Sequence, residues 1–96
     1  MNSIDKTISD LENFIAENIF IKIEKWNLYL GDAGLARNLA KECLSNLDKG
    51  PKQAAKISVD SINVKIGDGK ELVALSKLIL PSQINDLENI LYEYVK

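Results

Sequence analysis

The stretch whose composition most suggests ligand chemistry is Gly67-Asp68-Gly69-Lys70, in which two glycines, a carboxylate and a lysine alternate. A phosphate-binding loop needs a longer glycine spacing and a Ser or Thr after its lysine. The segment also does not open a helix, whose free N–H groups would bind the anion. It lacks the acidic alternation and closing glutamate of a calcium loop. We therefore predict an ordinary hairpin turn at these four residues.

Other side chains that could do chemistry are few. Cys43 is the single cysteine and the chain has no histidine, so the commonest general base and metal ligand is missing. Cys43 falls among apolar positions of a predicted helix, which favours a buried thiol over a nucleophile. Glu12, Glu17, Glu88 and Glu93 fall on helix faces that we expect to meet water. We predict no catalytic residue, no metal, no cofactor and no enzymatic activity.

The bulk properties are those of a small globular protein. The chain has 96 residues, 46% apolar and 27% charged, with a net charge of −2, and we expect a single domain over residues 1–96. Its first residues lack the pattern of a signal peptide, and no apolar run is long enough to span a bilayer. These features predict a cytoplasmic protein without a transmembrane segment. A core this modest also makes homodimerisation a reasonable expectation.

The N-terminal third shows helical spacing. Apolar residues that recur every three or four positions predict a helix from about Ile4 to Ala16, capped by Ser3. The same spacing continues to Leu30, so one long helix is an alternative. We predict two helices with a bend over residues 17–20, although the β-branched residues of 19–23 also alternate as in a strand. Gly31 should end the second helix, and Asp32 should cap the next.

The remaining elements have clearer signals. A wide apolar stripe from Leu35 to Leu47 predicts a helix that Gly50-Pro51 ends, and Pro51 can open a shorter helix to about Ser61. Alternation over 62–66, the turn residues 67–70 and a returning strand over 71–75 together predict a β-hairpin. A last helix should follow Pro81, capped by Ser82. The predicted class is α+β, mostly α, with three to four helices and one β-hairpin before a C-terminal helix.

The aromatic residues have two interpretations. Trp26 and Tyr29 can pack in the core, with the tyrosine hydroxyl reaching solvent, and this is the interpretation we favour. They can instead form a hot spot for a protein partner. Tyr92 and Tyr94 should lie on opposite sides of the last helix, and Tyr94 continues its apolar stripe. The candidate partner-binding residues are therefore Trp26, Tyr29 and Tyr92.

A basic segment supports an alternative function. Residues 49–77 carry six lysines against three acids, a net charge of +3, and the order of helices and hairpin resembles that of a winged helix. In that arrangement the nucleic-acid contacts would be Lys52, Lys56, Lys65 and Lys70. The low pI of about 5.1 and the single arginine argue against it. A third option, membrane association through residues 19–23, lacks a lysine-rich flank.

Several segments carry a family resemblance. The first two are Glu17-Asn18-Ile19 and the stretch Lys25-Trp26-Asn27-Leu28-Tyr29-Leu30-Gly31-Asp32-Ala33. The others are residues 62–70 and Leu80-Pro81. In these the chain resembles a small family of uncharacterised cyanobacterial proteins, a domain of unknown function with a KWxLYLxDA-like block. Where many of its members have histidine after the tryptophan, this chain has Asn27. The resemblance implies a cyanobacterial setting and no mechanism.

These observations together favour a non-catalytic interaction protein. We expect an assembly or regulatory factor that binds another protein, with nucleic-acid binding as the alternative. The contact surface should use the exposed aromatic residues among Trp26, Tyr29 and Tyr92.

Overall fold

Helices alternate with two short antiparallel hairpins along the chain. The computed structural model describes residues 3–23, 26–66 and 71–94, with side chains for 6–21, 27–65 and 71–94. The helices and strands follow in the order α1 Ser3–Asn18, β1 Phe20–Ile23, β2 Trp26–Tyr29, α2 Leu30–Ala33, α3 Ala36–Ser45, α4 Pro51–Ser61, β3 Asn63–Ile66, β4 Glu71–Ala74 and α5 Pro81–Leu91. Single 3-10 turns cover Leu47–Lys49, Leu75–Lys77 and Tyr92–Tyr94.

Helix α1 forms where the apolar stripe predicts it. Leu11 and Ile15 are fully buried, and Ile8 packs against the same core. The helix rests on α3, and Glu12 accepts a 3.0 Å hydrogen bond from Arg37 across this interface. At its end, the Asn18 side-chain amide donates a hydrogen bond to the Phe14 carbonyl one turn earlier. The predicted capping residue Ser3 has its side chain outside the described residues.

The second predicted helix is wrong, because residues 20–23 and 26–29 form two paired strands. Strands β1 and β2 pair antiparallel, with Phe20 opposite Tyr29 and Ile21 opposite Leu28. Ile19 and Ile21 are fully buried. The segment therefore follows the strand-like alternation of its β-branched residues and not their helical spacing. β-Branched side chains restrict a helix and suit a pleated strand. Two of the apolar side chains that membrane association through residues 19–23 would use, Ile19 and Ile21, therefore face the core, and that association stays a prediction.

The glycine that stops the next helix is Gly34 rather than Gly31. Helix α2 contains Gly31, and Gly34 follows it with a φ of 73°. The Leu35 N–H bonds to the Leu30 carbonyl and the Gly34 N–H to the Gly31 carbonyl, which is a Schellman motif. Asp32 therefore lies in the first turn of α2 and does not cap α3, whose N-cap is Leu35.

The predicted helices after this point are present. Helix α3 buries Leu39, Ala40 and Cys43, and Gly50 follows its trailing 3-10 turn with a φ of 98°. Pro51 occupies the first turn of α4, as its missing N–H allows. Small residues face α3 from α4, which lets the two helices pack closely.

The second hairpin and α5 complete the chain. Strands β3 and β4 pair antiparallel with Val64 opposite Val73, which confirms this predicted hairpin, although its turn at 67–70 lies outside the described residues. The N-cap of α5 is Leu80, whose carbonyl accepts from the Gln83 and Ile84 N–H groups. Ser82 is therefore inside the helix, since the fixed φ of Pro81 already suits the first helical position.

The fold class is α+β and mostly α, as the sequence predicts, with one difference. The described residues hold two separate two-stranded sheets instead of a single hairpin. One core joins all the helices, and its fully buried members include Leu11, Ile15, Leu39, Val59, Leu87 and Leu91.

Candidate functional site

Tyr29 lies at the surface of the first hairpin, where it stacks on a second aromatic ring. The antiparallel register sets Tyr29 opposite Phe20, with ring centroids 5.3 Å apart and planes inclined by 58°. Tyr29 is 40% exposed, so its predicted core position is wrong. Trp26 belongs to β2, but its side chain is outside the described residues. Partner binding by these two residues stays a prediction.

The start of α5 lies beside this ring pair. The Phe20 N–H donates to the Gln83 side-chain oxygen at 3.4 Å, and Gln83 is almost fully buried. Leu80, one turn before Gln83, is 46% exposed. The Phe20–Gln83 hydrogen bond brings the first hairpin to the start of α5, and we call the three residues Phe20, Tyr29 and Leu80 the apolar end.

Tyr92 is exposed but lies away from the apolar end. It is 52% exposed, whereas Tyr94 is partly buried against the core. Tyr92 follows α5 at its far end, about 14 Å along the helix axis from Gln83. The structure therefore does not bring Tyr29 and Tyr92 into one surface, and any contact that Tyr92 makes belongs to another face.

A groove between α1 and α5 is the feature that the sequence did not reveal. It encloses about 420 Å³ and is open to solvent. Its lining residues come from both helices and the turn after α5, namely Phe14, Asn18, Asp86, Asn89, Ile90 and Glu93. We call it the α1–α5 groove. No spacing signal could reveal it, because its two walls are far apart in the sequence and meet only in the fold.

The lysines of the nucleic-acid alternative are only partly described. Lys52 and Lys56 are exposed one turn apart on α4, and Lys65 is exposed on β3. Lys70 lies outside the described residues. Asp60 is exposed one turn after Lys56, so this face of α4 mixes charges. Nucleic-acid contact by these residues stays a prediction.

The thiol of Cys43 is buried between α3 and α4. Burial raises its pKa from an ordinary 9.0 to about 12, although the adjacent Ser58 hydroxyl acts in the opposite direction. A thiol that holds its proton this firmly is a poor nucleophile and a poor metal ligand. Within residues 6–21, 27–65 and 71–94, no group of three or more Cys, Asp and Glu side chains could hold a metal ion.

Comparisons with known proteins add a family and a relative. The family described as "Protein of unknown function (DUF3181)" matches residues 8–94. The chain is also 31% identical over 96 residues to the thylakoid-associated protein slr0729 of Synechocystis sp., and the match covers 98% of this chain and 95% of the relative. No solved structure matches the chain. None of the described helices has the length and apolar character that crossing a membrane requires. The chain belongs to the DUF3181 family, as the resemblance to an uncharacterised cyanobacterial family led us to expect.

Proposed function

We propose that this chain is a small non-catalytic assembly or regulatory factor that binds a protein partner at the thylakoid membrane. The observation that carries the proposal is the apolar end, where Tyr29 stacks on Phe20 at the surface and Leu80 is exposed. Tyrosine is enriched in binding hot spots because its ring offers a large contact area with few rotatable bonds. The neighbouring ring restrains it further, so binding costs little side-chain freedom.

The location comes from the relative. Its name associates that protein with the thylakoid, and the similarity extends over nearly the whole of both chains. We extend the association to this chain through a protein partner instead of lipid. Interfacial binding to lipid needs a free apolar face with a basic flank, whereas Ile19 and Ile21 are buried.

The buried thiol supports a function without catalysis. Cys43 is the single cysteine of the chain and the strongest nucleophile type present, yet burial raises its pKa to about 12. With its proton retained and its sulfur enclosed, it cannot attack a substrate. We therefore propose that the exposed surface binds a partner.

Binding to washed thylakoid membranes of Synechocystis sp. tests the proposal. Purified protein is added to the membranes, and sedimentation measures the bound fraction at increasing concentration. We expect saturable binding that protease treatment of the membranes abolishes. Tyr29→Ala should weaken binding about tenfold, as truncation of an interface tyrosine commonly does. Asn38→Ala, at an exposed position of α3, should bind like the wild type.

Three results would contradict the proposal. Equal binding to protein-free vesicles of thylakoid lipids would indicate a lipid surface. Binding that disappears after nuclease treatment would favour the nucleic-acid alternative, and Lys52→Ala and Lys56→Ala should then weaken it. Saturable binding that Tyr29→Ala leaves unchanged would show that the apolar end is not the contact.

A further inference from the structure

The two helices that form the walls of the α1–α5 groove run in opposite directions. At one end, the first residue of β1 approaches the start of α5 through the Phe20–Gln83 hydrogen bond. At the other end, Asp10 of α1 is close enough to Tyr94 to raise the pKa of its hydroxyl. The two helices are therefore antiparallel. The stretch from Asp10 to Asn18 gives the groove a length of about 12 Å, or roughly two helical turns.

The base and the rim of the groove differ in chemistry. Phe14 and Ile90 supply apolar surface that is only partly buried. Asp86 and Glu93 line the rim, and Asp10 extends it toward Tyr94. In the part of the chain whose side chains are described, none of these three carboxylates forms an ion pair. Among the residues that the structure describes, the lining contains no lysine or arginine, so this part of the groove presents negative charge around an apolar base.

We propose that the α1–α5 groove binds a basic amphipathic helix of a protein partner. A helix that lies in such a groove inserts apolar side chains spaced three or four residues apart. Phe14 and Ile90 would receive those side chains, and lysines or arginines on both flanks would pair with Asp86, Glu93 and Asp10. Charge complementarity of this kind raises the association rate and fixes the orientation of the bound segment.

A second copy of this chain is a poorer occupant than a foreign helix. Two helices of the chain expose basic residues one turn apart, α3 through Arg37 and Lys41 and α4 through Lys52 and Lys56, and Arg37 already pairs with Glu12. On α4 the partly exposed Ile57 is a single apolar side chain, and the exposed Asp60 is an acid that the rim would repel. The groove lining and the apolar end share no residue, although one end of the groove reaches the Phe20–Gln83 hydrogen bond. The Asp86→Asn/Glu93→Gln and Tyr29→Ala variants therefore test this inference and the proposed thylakoid contact separately.

Two synthetic peptides test the proposal on the full chain. Each has about 14 residues, enough for a short helix, with leucines at helical spacing. One carries lysines on both flanks and the other glutamates. We expect the lysine peptide to bind saturably and to shift the backbone NMR signals of Phe14, Asn18 and Ile90. The double variant Asp86→Asn/Glu93→Gln should weaken it about tenfold.

A matched variant separates the groove from general negative charge. Asp48→Asn/Asp60→Asn removes the same charge from exposed positions outside the groove and should leave affinity unchanged. Equal weakening by both double variants, or NMR shifts centred elsewhere, would overturn the proposal. So would equal binding of the glutamate peptide. If the chain self-associates with rising concentration, and either Lys52→Ala or Asp86→Asn abolishes this, the occupant is a second copy of the chain. If the groove residues bind anionic vesicles, the occupant is lipid. Either result would overturn the proposal.

Discussion

Two pairs of helices in this molecule meet in opposite ways. Helices α3 and α4 pack directly, through the buried small side chains Ala40, Cys43, Ala54, Ala55 and Ser58. Helices α1 and α5 approach each other less closely, and a groove with a phenylalanine, an isoleucine and two carboxylates in its lining runs between them. Small residues let helix axes come together, whereas large and charged residues keep them apart.

We call the α3–α4 interface the packed region. We expect it to contribute mainly to stability and the α1–α5 groove mainly to binding. A fully buried interface gains free energy from apolar burial and dense packing, so a change there is felt in stability. A groove with partly exposed apolar groups and unpaired charges contributes little to folding and remains available to a ligand. Substitutions in the two regions should therefore affect different measurements.

Truncation of a fully buried side chain in the packed region gives the largest expected loss of stability. Leu39 of α3 is fully buried in the core, and Leu39→Ala should lower the free energy of unfolding by about 3 kcal/mol. Ile90→Ala in the groove should cost about 1 kcal/mol, since Ile90 already meets solvent. Urea denaturation measures both. Equal losses would mean that the groove wall is as much a part of the core as α3.

Gly31 tests close approach at a third helix contact, between α1 and α2. A Cβ at Gly31 would lie 2.7 Å from the Ala16 Cβ and 3.2 Å from the Ala16 backbone. Gly31→Ala should therefore destabilise the fold by about 2 kcal/mol through overpacking. Gly34→Ala is the matched control, because its Cβ has open space but its φ is +73°. It should cost about 1 kcal/mol, and a greater loss there would contradict the packing argument.

The sequence predicts the packed region far better than the groove. Helices α3 and α5 carry apolar stripes, Gly50-Pro51 marks the boundary between α3 and α4, and the residues of β3 alternate strictly. Each of these signals is local. The residues that line the groove come from opposite ends of the chain, and their pattern on α1 or α5 alone is that of an ordinary half-exposed helix face.

The first hairpin shows why a local signal can also mislead. Ile15, Ile19, Ile23 and Trp26 have helical spacing, but Ile19 and Ile21 equally satisfy a strand with one buried face. In a short segment the two periods overlap, and the contact with Gln83 that fixes Phe20 comes from a distant helix. The prediction that Gly31 ends a helix is wrong for a related reason. Its small size allows close packing against Ala16 and is not used for a left-handed turn.

Alkaline pH should weaken the packed region through Cys43. Burial raises the thiol pKa to about 12 in the folded chain, against 9.0 for an ordinary thiol. The unfolded chain then loses its proton first, so this contribution to stability is complete below pH 9 and is lost as the pH rises toward 12. The loss should approach about 1.4 kcal/mol per pH unit. Urea denaturation between pH 8 and pH 10.5 measures the free energy of unfolding of the wild type and of Cys43→Ala. The thiol's contribution is the difference in how steeply the two fall with pH, and an equal pH dependence would contradict the burial argument.

Ser58 should be the one polar member of the packed region that can be removed without loss. Its hydroxyl is buried beside the Cys43 thiol, and while that thiol is protonated the hydroxyl has no hydrogen-bond partner among the described residues. Ser58→Ala removes an unsatisfied polar group, so stability should be unchanged or rise by up to about 1 kcal/mol. Ala54→Ser is the reverse control, which should destabilise by adding a hydroxyl at a fully buried position of the same helix. A clear loss with Ser58→Ala would show that the hydroxyl makes a bond that stabilises the interface.

Neutralising one groove carboxylate should change a titration while leaving the fold alone. Asp10 and Glu93 help raise the pKa of the Tyr94 hydroxyl, after the larger effect of its partial burial. Asp10→Asn should therefore lower that pKa, because the tyrosinate would no longer face a carboxylate on α1. Stability near pH 7 should change by less than about 0.5 kcal/mol, as for most exposed charges. NMR of ring-labelled tyrosine follows the Tyr94 titration, and Asp48→Asn, outside the groove, should leave it unchanged. If Asp10→Asn does not move the titration, Asp10 does not reach Tyr94, and the α1 wall of the groove would offer a bound basic helix no carboxylate from this position.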